Sequence, residues 1–391
     1  MSSSSTIALG RFGKVFAVKE DVPGTIKIPA ATNLIVHNSA EVTIPNPNYE
    51  EDKAVRNSRS DFNRYQIATP QTPFKLTHYL RPSGAAGTAP EGSDVIESAY
   101  GTKTVVGSTS VAYTPASVQP SFTLWVKKDF VVYVAAGAVA KKISAKKDNK
   151  SMLEANIEGD AMSSIWTGTG SFSAAIVTTP APGTEEEFTV DDPKKWCTNS
   201  HLLCDTEQMK VTGTAWEGTA AAGKIKVARG HNSSTVATHL INAVITPWLP
   251  TGTEQGAPIA ARVGTMTVDA VSVPFVDCEF THEGQIKMLD DEVTQSTGVS
   301  DYQEEGIKDS VKLKLYFRKA DLKWSADSLK QTRKAVVINF GSIAGKKIAI
   351  TLPSCEFDVP AQSGDKSLQV IDVTGRAFAV AGQDESEFKF L

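Results

Sequence analysis

The chain has 391 residues, 41% of them hydrophobic and 21% charged, with 40 basic against 44 acidic side chains and a formal charge of −4. That length supports two or three domains with real cores, and the slight acid excess weighs against a nucleic-acid reader, which carries a basic surplus on one face. No run approaches the ~18 uninterrupted apolar residues of a membrane helix.

The opening MSSSSTIALGRFGKVF has neither the basic start nor the long apolar run of a secretory signal, and four cysteines are too few for a disulfide framework. The expectation is a soluble protein folded in a reducing cytoplasm. Alternation of apolar and polar residues then dominates. NLIVHNSAEVTI (33–44) reads as a strand, and PNPNYEEDKAVRNSRSDFNRYQ (45–66) as a long polar loop. PFKLTHYL (73–80) returns to alternation and leads through the plain loop RPSGAAGTAPEG into SDVIESAY. That segment predicts a short helix with Ser93 as N-cap, Asp94 at the positive end, Gly101 as the left-handed stop, and one stripe of Val95, Ile96, Ala99 and Tyr100. SFTLWVKKDFVVYV (121–134) predicts a hairpin. KKISAKKDNK (141–150), with five lysines, reads as an exposed hairpin tip rather than a phosphate contact. Further strands are expected at KIKVAR, TMTVDAVSV, VKLKLYF, AVVINF, KKIAITL, LQVIDVTGRAFAV and SEFKF, with a second helix beginning near Ser325.

The chain also repeats itself. At an offset of 216, DNKSMLEANIEGDAM (148–162) lies over GDKSLQVIDVTGRAF (364–378), matching Ile157 to Val373 and Gly159 to Gly375. The same offset places Val132 and Val134 on Ile348 and Ile350, and Ala145 on Ala361. FKLTHYL (74–80) matches VKLKLYF (311–317), and SAEVTIP resembles DCEFTHE. Each copy has its helical segment between these anchors and a polar loop containing SDF (60–62) or SDY (300–302) before them. A duplicated β unit of this kind points to stacking and repetition. Three parts follow: residues 1–175 and 263–391 as two copies, and 176–262 as a β-rich insertion or link.

Groups for chemistry are sparse. None of the six histidines stands in a helical zinc-protease motif, no G-x-S-x-G elbow occurs, and SGAAGT lacks the Gly-Lys-Ser/Thr of a phosphate cradle. Cys197, His201 and Cys204 form the only metal-like grouping, without a fourth ligand or paired-cysteine spacing, and read as packed thiols. Cys278 and Cys355 could meet on neighbouring strands, where a cytoplasmic fold keeps them reduced. No catalytic residue, metal or cofactor is expected.

PFKLTHYLRPSGAAGTAPEGSDVIESAYGTK, together with INFGSIAGKKIAITLPSCEF and VTGRAFAVAGQDESEFKF near the end, resembles segments of the tail tube proteins of long-tailed bacterial viruses. The resemblance covers most of both halves and misses the middle. It implies a mainly β chain of two tandem tail-tube-type sandwich or barrel domains, each with a flanking short helix. It further implies a virion protein, not an enzyme, that is assembled in the host cytoplasm into rings stacked as a hollow tube through which DNA passes. The family usually uses six single-unit subunits per ring, so a duplicated chain implies a trimer with pseudo-sixfold symmetry, or else a hexamer. Tail tip, tape measure and tail terminator proteins are the other implied partners, and no membrane is. Ring stacking would fall to Tyr49, Arg59, Phe62, Arg64 and Tyr65 of the first long loop, with Tyr302 in its counterpart (291–306) and Phe388 in the last strand. A passage for DNA should carry more acidic than basic groups on its wall, so that phosphates slide. A β-sandwich surface adhesin and a carbohydrate-active enzyme are the alternative readings.

Overall fold

The computed structural model describes residues 13–53, 63–68, 70–148, 150–259, 264–290, 292, 299–364 and 368–391. The chain is mainly β, with two α-helices among the described residues, α1 (Ser93–Tyr100) and α2 (Lys323–Leu329). Most strands belong to one curled antiparallel sheet that branches where long strands share an edge between two neighbours.

The two halves of that sheet have the same strand order. In the first half it runs Lys14–Lys19, Phe122–Lys128, Val131–Lys147, Glu154–Thr167, Thr72–Tyr79, His37–Val42. In the second it runs Gly264–Val268, Lys334–Phe340, Ile348–Phe357, Gln369–Ala377, Asp301–Tyr316, Asp277–Leu289. In both, the helix follows the fifth strand of this order along the chain.

Register carries the repeat down to single residues. Ile157 faces Leu76 and Gly159 faces Phe74, while Val373 faces Leu313 and Gly375 faces Val311. Glu41 faces Lys75 as Glu279 faces Lys312. Because one residue of slip would turn every side chain to the other face, coincident registers at two joints tie the matched segments together. One strand departs from the sequence alignment. Ala138 faces Ala161 whereas Cys355 faces Ala377, so this strand is displaced by 217 residues rather than 216, and Ala361 corresponds to Ser144 and not to Ala145.

The repeated glycines have a common reason. A Cβ on Gly159 would lie 2.2 Å from the Val139 carbonyl oxygen and 2.5 Å from the Phe74 ring. On Gly375 it would lie 2.7 Å from Cys355 Sγ and from the Phe357 ring. In each copy an aromatic ring covers bare backbone.

One apolar core runs through both halves, uniting Phe74, Leu76, Phe122 and Leu124 with Phe280, Val311, Leu313 and Ile350. α1 lies at its centre. The expected stripe is buried, but so are Glu97 and Ser98, because the helix packs against strands of both halves. Glu97 is neutralised by Lys19 at 2.7 Å and Lys103 at 2.6 Å. The N-cap is Gly92 (φ 72°), not Ser93, whose hydroxyl instead accepts a hydrogen bond from Tyr113 Oη at 2.8 Å. α2 starts at Lys323, two residues before the expected Ser325, which seats Trp324 in the core against Phe357.

A separate six-stranded sheet takes the order Gly170–Ser171, Val244–Pro247, His201–Cys204, Glu207–Thr214, Lys224–Ala228, Glu185–Thr189. It has its own core of Phe172, Trp196, Leu202, Met209, Val211 and Ile225. Gly170–Ser171 lies upstream of residue 176, where the sequence alone had placed the start of this region.

Candidate assembly surfaces

The two copies join edge to edge. The far end of Val131–Lys147 pairs with Asp277–Leu289 of the second copy, setting Lys142 opposite Glu283, Ser144 opposite Thr281 and Lys146 opposite Glu279. KKISAKKDNK is therefore mostly paired strand and not a free tip. Lys147 is buried, with Nζ donating to the carbonyls of Asp148 and Ser151 at 2.8 Å.

Three further contacts lock this joint. His282 of the second copy reaches α1 of the first. Its Nε2 donates to the Ala99 carbonyl at 2.9 Å, its Nδ1 to Asp309 at 2.6 Å, and its ring stacks on Tyr100 at 4.1 Å. Burial alone would lower its pKa, but the Asp309 charge and the two hydrogen bonds outweigh it and raise the pKa. The resulting imidazolium sits where a helix C-terminus favours positive charge. The last strand, Glu387–Phe390, lies between Ile348–Thr351 of the second copy and Val111–Tyr113 of the first. Finally, the plain loop after Thr72–Tyr79 docks backbone to backbone on the second copy, with Gly84 N–H donating to the Gly345 carbonyl at 3.0 Å. A Cβ on Gly345 would stand 2.5 Å from the Gly84 oxygen, so this approach requires glycine.

The equivalents of the two joined edges are open. Among the described residues, His37–Val42 has a ladder partner on one side only, Thr72–Tyr79. Ala361–Gly364 likewise pairs only with Gln369–Ala377.

The polar face of the sheet continues across the joint. A row runs Glu41, Lys75, Glu158, Lys142, Glu283, Lys308, each opposite the next on six successive strands. A second row runs Glu154, Lys146, Glu279, Lys312, Thr374, and a third Asp277, Lys314, Asp372. Lys75 and Glu158 form an ion pair at 2.9 Å. Opposite charges on directly facing positions stabilise a sheet modestly. On this face the two signs also nearly cancel.

The stacking candidates fall into three groups. Tyr49, Arg64 and Tyr65 lie together on a two-stranded ribbon, Asn48–Glu51 with Arg64–Ala68, outside the main sheet. The Arg64 guanidinium sits 4.2 Å over the Tyr49 ring, and both tyrosines are exposed. Two strands alone are marginal in water, so this ribbon is suited to gain a partner. Arg59 and Phe62 lie outside the described residues. The structure corrects the remaining two. Phe388 is 1% exposed, built into the core beside Tyr100 on a strand paired along both edges. Tyr302 points inward, donating its hydroxyl to the Gln119 carbonyl at 2.6 Å and packing on the cluster of Val139, Ile286 and Met288.

The thiols are all free and buried. Cys197, His201 and Cys204 do not converge: His201 packs between Trp125 and His231, and burial lowers its pKa to about 3. Sequence reasoning missed the open edges and the charge rows, since both depend on register. No known family model matches the chain, and no curated protein is significantly similar to it.

Proposed function

We propose that this chain is a structural subunit that closes into rings and stacks them into a hollow tube, as a tail tube component of a long-tailed bacterial virus. The observation that carries this reading is the joint between the copies, because the chain already contains one instance of the contact that a ring repeats. Transferring its register by the copy correspondence places Ala361 of one chain opposite Thr43 of the next, as Ser144 is opposite Thr281 within the chain. Such a contact is head-to-tail, and head-to-tail contacts close into rings when the rotation allows. It also covers two sheet edges that are a liability in a monomer. Three chains would supply six copies, and the Tyr49–Arg64–Tyr65 ribbon would meet the next ring. The polar face would line the passage, where alternating charge offers DNA phosphates no basic surface to hold them. Tail tip, tape measure and tail terminator proteins would be its partners in the virion. The role requires no catalysis.

The test pairs cysteines at positions 43 and 361. Under oxidation, Thr43→Cys with Ala361→Cys should give a covalent ladder ending at three chains, each single variant should give none, and negative-stain images should show striated hollow tubes. Compact monomers at all concentrations, with no cross-linked product, would refute the reading.

A further inference from the structure

The six-stranded sheet holds a cluster that the assembly reading does not use. Strands His201–Cys204 and Glu207–Thr214 are joined by a two-residue turn, which Asp205 enters with φ 52°. The turn brings Cys204, Asp205 and Glu207 to one hairpin tip. His239 arrives from a distant segment and is fixed by a backbone bridge with Ile176, each N–H donating to the other's carbonyl at 2.8 Å.

Glu207 decides the state of this histidine. Its carboxylate is fully buried and bound by Arg229 at 2.6 and 2.8 Å, and it accepts from the Gly230 and Ala237 N–H groups. With four N–H donors aimed at its two oxygens, it is an acceptor only. His239 Nε2 lies 2.9 Å from Glu207 Oε2 and must therefore carry a proton. In the neutral imidazole this leaves a lone pair on Nδ1. That lone pair is aimed where two other electron-rich atoms stand, Cys204 Sγ at 3.3 Å and Asp205 Oδ2 at 2.9 Å, themselves 3.9 Å apart.

We infer that Cys204, Asp205 and His239 hold a divalent transition metal of borderline softness, zinc above all, with a fourth position facing solvent beside the exposed Asp205. Bonds of about 2.3 Å to sulfur and about 2.0–2.2 Å to nitrogen and oxygen set tetrahedral ligand spacings of roughly 3.3–3.6 Å, and the three distances here bracket that range. A carboxylate on the far nitrogen of a ligating histidine orients the ring and raises its basicity. Glu207, backed by Arg229, occupies that place. Binding releases the Cys204 proton to solvent, so affinity rises with pH. The ion ties the irregular segment carrying His239 to the hairpin tip.

The test uses the full chain, stripped by a chelator under reducing conditions and titrated with Co²⁺ alone. One equivalent should produce thiolate-to-cobalt charge-transfer absorption with intense tetrahedral ligand-field bands, and Zn²⁺ should abolish both. Cys204→Ser should remove the charge-transfer band. Asp205→Asn, at an exposed position that leaves the fold intact, should weaken binding by at least the roughly 10–100-fold seen on losing an outer-shell partner. No charge-transfer band in the wild-type chain would overturn the inference, showing that a proton alone occupies the site. Persistence of the band in Cys204→Ser, or unchanged affinity in Asp205→Asn, would overturn it equally.

Discussion

Replacing the glycine that each copy keeps under an aromatic ring tests the duplication at its most specific point. At Gly375 the added methyl would sit 2.7 Å from Cys355 Sγ and from the Phe357 ring. Both are side-chain atoms, but Phe357 is held edge-on against Trp324 at 4.9 Å, so it yields only by disturbing α2. Overpacking of this kind costs about 1–3 kcal/mol, and Gly375→Ala should fall near the middle of that range. At Gly159 the nearest atom is the Val139 carbonyl oxygen at 2.2 Å. Backbone cannot rotate away, so relief requires opening the ladder between Ala140 and Gly159. Gly159→Ala should therefore reach ~3 kcal/mol or more. Urea unfolding of the unassembled chain at low concentration measures both, followed by tryptophan fluorescence. A neutral Gly375→Ala, or a Gly159→Ala milder than it, would refute the argument that the two glycines answer one steric demand with different nearest obstacles.

Other perturbations read other parts of the molecule. Burial raises the Glu91 pKa to about 7 against the hydrogen bond from Val36 N–H, so the folded state keeps a proton that the unfolded chain releases from about pH 4.5 upward. Stability from this group is present at low pH and lost as pH rises through 7. Glu91→Gln should match wild type near pH 4.5 and exceed it at pH 8 in urea midpoint, and a constant difference between the two would refute the assignment. His78 works with the opposite sign. Burial lowers its pKa to about 4, so acidifying from about pH 6.5 to 4 should remove roughly 3 kcal/mol through this group, a share of the pH dependence that His78→Gln should remove in the same titration. Glu207→Ala leaves buried Arg229 with Glu186 at 2.8 Å as its one carboxylate partner and should cost about 3–5 kcal/mol by thermal melting. A loss below 1 kcal/mol would mean that water replaces the missing carboxylate.

Much of the fold was legible in the sequence because strand alternation and turn residues are local properties. The hairpin at 121–134, the α1 stripe and the Gly101 stop follow from spacing alone. The copies were legible because Lys75–Leu76 and Lys312–Leu313 occupy matching strands, where the same alternation and the same burial demand select similar residues. The errors came from places where a partner outside the local segment decides. Ser93 lost the cap to Gly92 because its hydroxyl is taken by Tyr113. Phe388 was a candidate for ring stacking, yet its strand is held between the two copies.

By itself, then, the sequence determined the mainly β character, the paired architecture, the positions of both helices to within two residues, and a thiol set suited to burial. Tertiary structure alone decided the strand registers, hence which carboxylate faces which lysine, which edges stay open, and that Cys204 meets His239 rather than His201. The physical reason is range. Alternation and capping act between neighbours in the chain, whereas register, edge exposure and the convergence of three ligand atoms depend on segments that only the closed core brings together.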